Sequence, residues 1–98
     1  MPISEARIET AHSQRYLGQL CKHFGHRIPA TYTDDSGRIE FPSGICSLSA
    51  APGLLVLRTE AQDDLARRLL EGVVGSHLER FAFRETLEIV WGPHSAEA

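Results

Sequence analysis

The chain has 98 residues, 42% of them hydrophobic and 23% charged, with a formal net charge of −3, which reads as one globular domain able to bury roughly two-thirds of its unfolded surface. That balance argues against a nucleic-acid partner, because phosphate binding needs a basic field and no basic patch with interleaved aromatics is present. The longest apolar run, residues 54–57, is too short for a bilayer and the first residues lack a signal peptide's apolar segment, so a cytoplasmic protein with no membrane partner is expected.

Residues 3–9 alternate, with Ala6 and Ile8 on one face and Glu5, Arg7 and Glu9 on the other, the pattern of a half-buried strand. A helix follows over 11–26. At about 100° per residue, Leu17, Leu20, Cys21, Phe24 and Ile28 fall in one apolar stripe. Thr10 is the expected N-cap, Gly25 weakens the last turn and Pro29 forbids continuation.

Cys21-x-His23-x-x-His26 has the spacing of metal ligands. On a helix, however, Cys21 points into the stripe, while His23 lies roughly 120° and His26 about 180° away from it. That leaves His23 and His26 as a surface pair, and two ligands make a weak metal site, so neither a physiological metal nor a cofactor is expected. Cys21 and Cys46 are too few for a disulfide framework and read as small buried hydrophobes, although a shared core would bring them near each other.

Residues 30–33 and 38–41 form a hairpin around Asp34-Asp35-Ser36-Gly37, where Gly37 is expected to supply a positive φ. Pro42-Ser43-Gly44 turns into a strand over 45–50 with Cys46, Leu48 and Ala50 inward. Ala51-Pro52-Gly53 then turns into 54–60, whose apolar residues on both faces suggest a central strand. The four segments read as an antiparallel meander.

The second helix is expected over 62–83, with Asp63 and Asp64 in its first turn, where the helix dipole favours them. Arg67 and Glu71 form an outer i, i+4 pair. Gly72 and Gly75 each cost about 1 kcal/mol inside a helix, which points to close packing or a kink. A last strand, 86–91, turns Leu87, Ile89 and Trp91 inward, and 92–98 is a polar tail.

The order β-α-β-β-β-β-α-β implies an α+β two-layer sandwich, an antiparallel sheet with two helices on one face. It is a single domain over 1–98 with its core about residues 3–91. The other sheet face is polar unless a second copy covers it. Leu54 and Val56, with Tyr32 or Val90, are the side chains that would serve such a homodimer.

The second helix carries the unusual cluster. Its wheel centres Ala66, Leu69, Leu70, Val73 and Phe81 on the buried face, puts His77 in the middle of that face and Arg80 on its edge, with Arg84 following on the same side. Such groups avoid burial unless paired. Either His77 and Arg80 are satisfied by carbonyls and acids, or the three line a pocket that grips an anionic ligand, with His12 joining if the first helix begins near the second's end. No catalytic residue is assigned: Ser43, Ser47 and Ser49 lack a nucleophile-elbow setting, and the glycines are single turn residues that cradle no phosphate.

The segments Ala6-Arg7-Ile8-Glu9-Thr10, Arg15-Tyr16-Leu17, Leu20-Cys21-Lys22-His23-Phe24-Gly25-His26 and His77-Leu78-Glu79-Arg80-Phe81-Ala82-Phe83-Arg84-Glu85 resemble a small bacterial family, domain of unknown function 2218, from about residue 6 to 91. Members stand alone or are fused to siderophore-interacting flavin reductases, so the resemblance implies an iron or siderophore context and supplies no catalytic residues. Ala11 departs from the family's expected helix-starting proline. The expected function is therefore a non-catalytic accessory domain that binds an anionic small molecule near His77, Arg80, Arg84 and His12. The alternatives are a homodimeric or protein-interaction module docking to a flavin-dependent siderophore reductase, and a small metal-binding protein.

Overall fold

The structure is a computed structural model that describes residues 2–93. Strands β1 (Ile3–Glu9), β2 (Ala30–Tyr32), β3 (Ser36–Phe41), β4 (Gly44–Ala51), β5 (Leu54–Ala61) and β6 (Gly92–Pro93) form one sheet. The helices are α1 (Ser13–Gly25) and α2 (Asp64–Phe81). Strand order is β2-β3-β4-β5-β1-β6, antiparallel at every pairing. No helix among the described residues is long and apolar enough to cross a membrane.

Register shows why the sheet is two-faced. Leu55, Leu57, Thr59 and Ala61 of β5 lie opposite Ala50, Leu48, Cys46 and Gly44 of β4, and Ile8, Ala6 and Ser4 of β1 continue the same face. With period-two alternation that face becomes the core, and Leu17, Leu20 and Cys21 of α1 pack on it with Val74 and Leu78 of α2. Two glycines let the layers close. A Cβ at Gly37 would lie 2.7 Å from the Cys21 sulfur of α1, and one at Gly44 would lie 2.8 Å from Leu70 Cδ1 of α2, so both helices cover the same side. Ser4 and Thr59, directly opposed across β1 and β5, satisfy each other through a 2.5 Å hydroxyl hydrogen bond.

Several local expectations are corrected. Helix α1 starts at Ser13, with His12 at its N-cap. The Thr10 hydroxyl accepts from the His12 N–H, and the Ser13 hydroxyl donates to the Ala51 carbonyl, so the β4–β5 turn holds the helix start. Helix α2 is capped by Asp63, whose carboxylate accepts from the Ala66 N–H at 2.8 Å, and it ends at Phe81. The glycine with positive φ is Gly53, in the Pro52-Gly53 turn, whereas Gly37 sits in β3 and is required for the close approach of Cys21. Arg67 and Glu71 pair at 2.7 Å, half-buried instead of fully solvated.

Residues 86–91 pair with no strand. They run as an extended strap, with Leu87, Ile89 and Trp91 packed on the core and Trp91 Nε1 3.7 Å from where a Gly75 Cβ would stand. Alternation is present, but the surface it packs against includes a helix, so no ladder forms. The strap ends at β6, where Gly92 and Pro93 lie opposite Glu5 and Ser4, so these two residues belong to the sheet; the rest of the expected tail, 94–98, lies outside the described residues. Tyr32 is also displaced from its expected place. Its ring lies beside α1, with Cε2 3.7 Å from a Cβ built at Gly18, and does not line the open sheet face.

Candidate functional site

Helix α2 is rotated about its axis relative to the sequence expectation. Its buried residues are Ala66, Leu70, Val74, Gly75 and Leu78, while Leu65, Leu69 and Val73 are 67%, 58% and 38% exposed. The apolar arc of the helix is wider than the surface the sheet offers, and the wheel's mean direction falls at the edge of the covered part, between exposed Val73 and buried Ala66. His77 consequently stands at the edge of the packed face, half-buried, and Arg80 is exposed.

The His77 ring is built into a cluster that includes residues of α1. Its centroid is 4.8 Å from that of His23 and 4.9 Å from that of Phe24. Phe24 in turn meets Phe41 of β3 edge-on at 5.0 Å. The Nδ1 of His77 lies 2.7 Å from the Val73 carbonyl oxygen. A carbonyl oxygen only accepts, so Nδ1 carries the proton and Nε2 is the nitrogen left for other partners.

Around these rings opens a cleft of about 620 Å³ between the end of α1, the β3–β4 turn and α2. Its floor is Phe24, Ile28, Phe41, Pro42 and Val73, and its polar side chains are His23, His26, Arg27 and His77. No carboxylate lines it. Desolvation lowers the His23 pKa below the ordinary histidine value, and the neighbouring charges of His77, His26, Arg27 and Arg80 lower it further.

His12 and Arg84 occupy a different cleft, of about 560 Å³, at the start of α1 and the end of α2. The two ends do meet, as the proviso on His12 required, yet they meet away from His77. Glu85 sits in this second cleft, accepting from the Tyr16 hydroxyl at 2.5 Å and from the Thr10 hydroxyl at 3.3 Å. Burial, then the Glu85 carboxylate, raises the Tyr16 pKa to about 12. Helix α2 ends before Arg84, which turns over the Phe83 ring at 5.4 Å and is not on the α2 face.

The sequence cluster thus divides: His77 joins His23, and His12 joins Arg84. A wheel describes one helix alone and so does not carry the adjacency of His23 and His77, and Leu69 and Val73, expected on the buried face of α2, are exposed. His26 lines the His77 cleft beside its helix neighbour His23, and no group of three or more His, Cys, Asp or Glu among the described residues is arranged to hold a metal ion. Cys21 and Cys46 are buried and unbridged, and burial pushes their thiols up to about 11 and about 12.

Comparison with known proteins agrees with this architecture. The NMR structure of PA4090 from Pseudomonas aeruginosa is 34% identical and superposes with a TM-score of 0.81, over 95% of this chain and 97% of that one. A search of curated proteins finds no match. The family model described as "Uncharacterized protein conserved in bacteria (DUF2218)" matches residues 5–92, and the chain belongs to that bacterial family.

Proposed function

We propose that this domain is a non-catalytic binding module whose ligand is an anionic small molecule, held in the cleft between His23 and His77. One observation carries the reading: each polar side chain lining that otherwise apolar cleft is an imidazole or a guanidinium. Apolar walls with a few convergent polar groups are the usual make-up of a small-molecule site, and the Arg27 guanidinium, faced by no carboxylate in the lining and joined by imidazoles able to take up a proton, selects negative charge. The other cleft is the weaker choice, because the Glu85 carboxylate opposes an anion beside His12 and Arg84. A non-catalytic role is favoured because the lining of the His77 cleft includes no nucleophile and no carboxylate to act with the histidines. The iron or siderophore setting that the resemblance implies makes ferric siderophores and citrate the first ligands to try.

The test is a thermal-shift panel of ferric siderophores, haem, citrate and phosphate on the wild type, His77→Ala and Arg84→Ala. A shift that His77→Ala removes and Arg84→Ala leaves intact supports the reading. Absence of any shift, or one that is indifferent to His77, overturns it.

The exposed ladder of Leu65, Leu69 and Val73 favours a second reading, a protein-interaction surface on α2 that would serve docking to a flavin-dependent reductase or a homodimer. On this reading Leu69→Lys weakens association measured by sedimentation. Half-buried Leu54 and Val56 leave the sheet face as the alternative contact.

A further inference from the structure

We infer that the cleft takes a planar aromatic carboxylate, its ring among Phe24, Phe41 and the imidazoles of His23 and His77, its carboxylate toward the cationic rim. This rests on the reading of the cleft as an anion site and goes on to name the body that the anion carries. Four of the side chains that form the cleft present flat rings, linked by centroid separations of 4.8 Å for His23–His77, 4.9 Å for Phe24–His77, 5.0 Å for Phe24–Phe41 and 5.1 Å for His23–Phe24. Ring pairs at such separations prefer edge-to-face or offset contacts, and another flat ring extends that lattice better than a flexible chain, which loses rotamer freedom on binding. The volume of about 620 Å³ lies within the range that small-molecule sites occupy.

The bond from His77 Nδ1 to the Val73 carbonyl adds a second feature to the ligand's chemistry. With that nitrogen committed, the neutral ring offers only the lone pair of Nε2, and the imidazole can donate to a carboxylate only after taking up a proton. Anion binding is therefore coupled to protonation. The groups facing this pair are His26 and Arg27 beyond α1 and Arg80 of α2, while Phe41 and Pro42 from the β3–β4 turn add none. Burial first, and then all three neighbours, oppose a proton on His23. A bound carboxylate acts in the opposite direction, favouring the protonated ring.

The probes are 2-naphthoate, 2-naphthalenemethanol and decanoate, each titrated calorimetrically into the wild type, His77→Gln and Arg27→Gln. Because a hydrogen bond to a charged group is worth more than a neutral one, 2-naphthoate is expected to bind about tenfold or more tightly than the alcohol. It is also expected to bind more tightly than decanoate, with affinity rising several-fold as pH is lowered, because a protonated imidazole can donate to the carboxylate. Arg27→Gln, a surface change that leaves folding intact, weakens 2-naphthoate more than the alcohol.

Equal binding of acid and alcohol, tighter binding of decanoate, or affinity indifferent to pH would overturn the inference. If 2-naphthoate fails while citrate or phosphate still gives a His77-dependent thermal shift, the aromatic body is wrong and the anion site stands. If no anion binds, both fall together.

Discussion

Single side chains here are governed by what burial does to their protons. The Cys21 and Cys46 thiols are driven up to about 11 and about 12, chiefly by desolvation, against about 8.5 in an unfolded chain. The unfolded state therefore loses these protons first. Stability from this source is complete below about pH 8.5 and disappears as pH climbs toward the folded-state values. Urea midpoints should fall between about pH 8 and pH 10, and Cys46→Ala should flatten that fall; a midpoint constant over this interval would contradict the burial argument. For the same reason Ellman's reagent should find both thiols unreactive at neutral pH in the native protein and reactive in urea. The inward position of both cysteines was legible in the sequence, because each falls on a regular apolar stripe. His23 was not, since its partner comes from an element 54 residues away in sequence and no single wheel carries that information.

Among the elements, α2 shows where periodicity stops being informative. Its apolar residues occupy more of the circumference than the sheet can cover, so amphipathicity fixes the helix but leaves its rotation open by several tens of degrees. Packing decides the rotation, since Leu70 reaches the notch at Gly44 and Trp91 rests beside Gly75. Leu70→Ala should accordingly cost about 2–5 kcal/mol in urea denaturation, and Leu69→Ala less than about 1 kcal/mol. Comparable losses at the two positions would mean that the sequence wheel had the right face after all. The same geometry separates the glycines. A Cβ at Gly72 meets nothing within 4 Å, so Gly72→Ala should stabilise by about 0.5–1 kcal/mol through helix propensity. At Gly44 a Cβ would approach the Glu60 carbonyl oxygen and the Ala61 backbone, so Gly44→Ala should cost about 1–3 kcal/mol.

At the scale of the whole molecule, element order was readable because the longer strands show their alternation and the turns between them carry Pro42, Pro52 and Gly53 or the Asp34-Asp35 pair. The chain's closure was not readable, because the 86–91 strap alternates like a strand while packing beside a helix. What closes the molecule is a contact between distant parts. The turn after α2 delivers Glu85 to the Tyr16 and Thr10 hydroxyls, 69 and 75 residues away in sequence, where the strap begins its return along α2 toward β1. Tyr16→Phe removes the donor at 2.5 Å and leaves a part-buried carboxylate with Thr10 alone, which should cost about 1–3 kcal/mol. Glu85→Gln should cost less, because the amide keeps an acceptor for both hydroxyls and buries no charge. If the contact acts as a unit, the double variant Tyr16→Phe/Glu85→Gln should be more stable than the sum of the single losses allows. The chain's single tryptophan, Trp91, lies at the far end of the strap and reports the outcome by fluorescence. Additive losses would show that the hydroxyl–carboxylate pair does not tie the strap to α1, and closure would then rest on the apolar contacts of Leu87, Ile89 and Trp91 and on the pairing of β6 with β1.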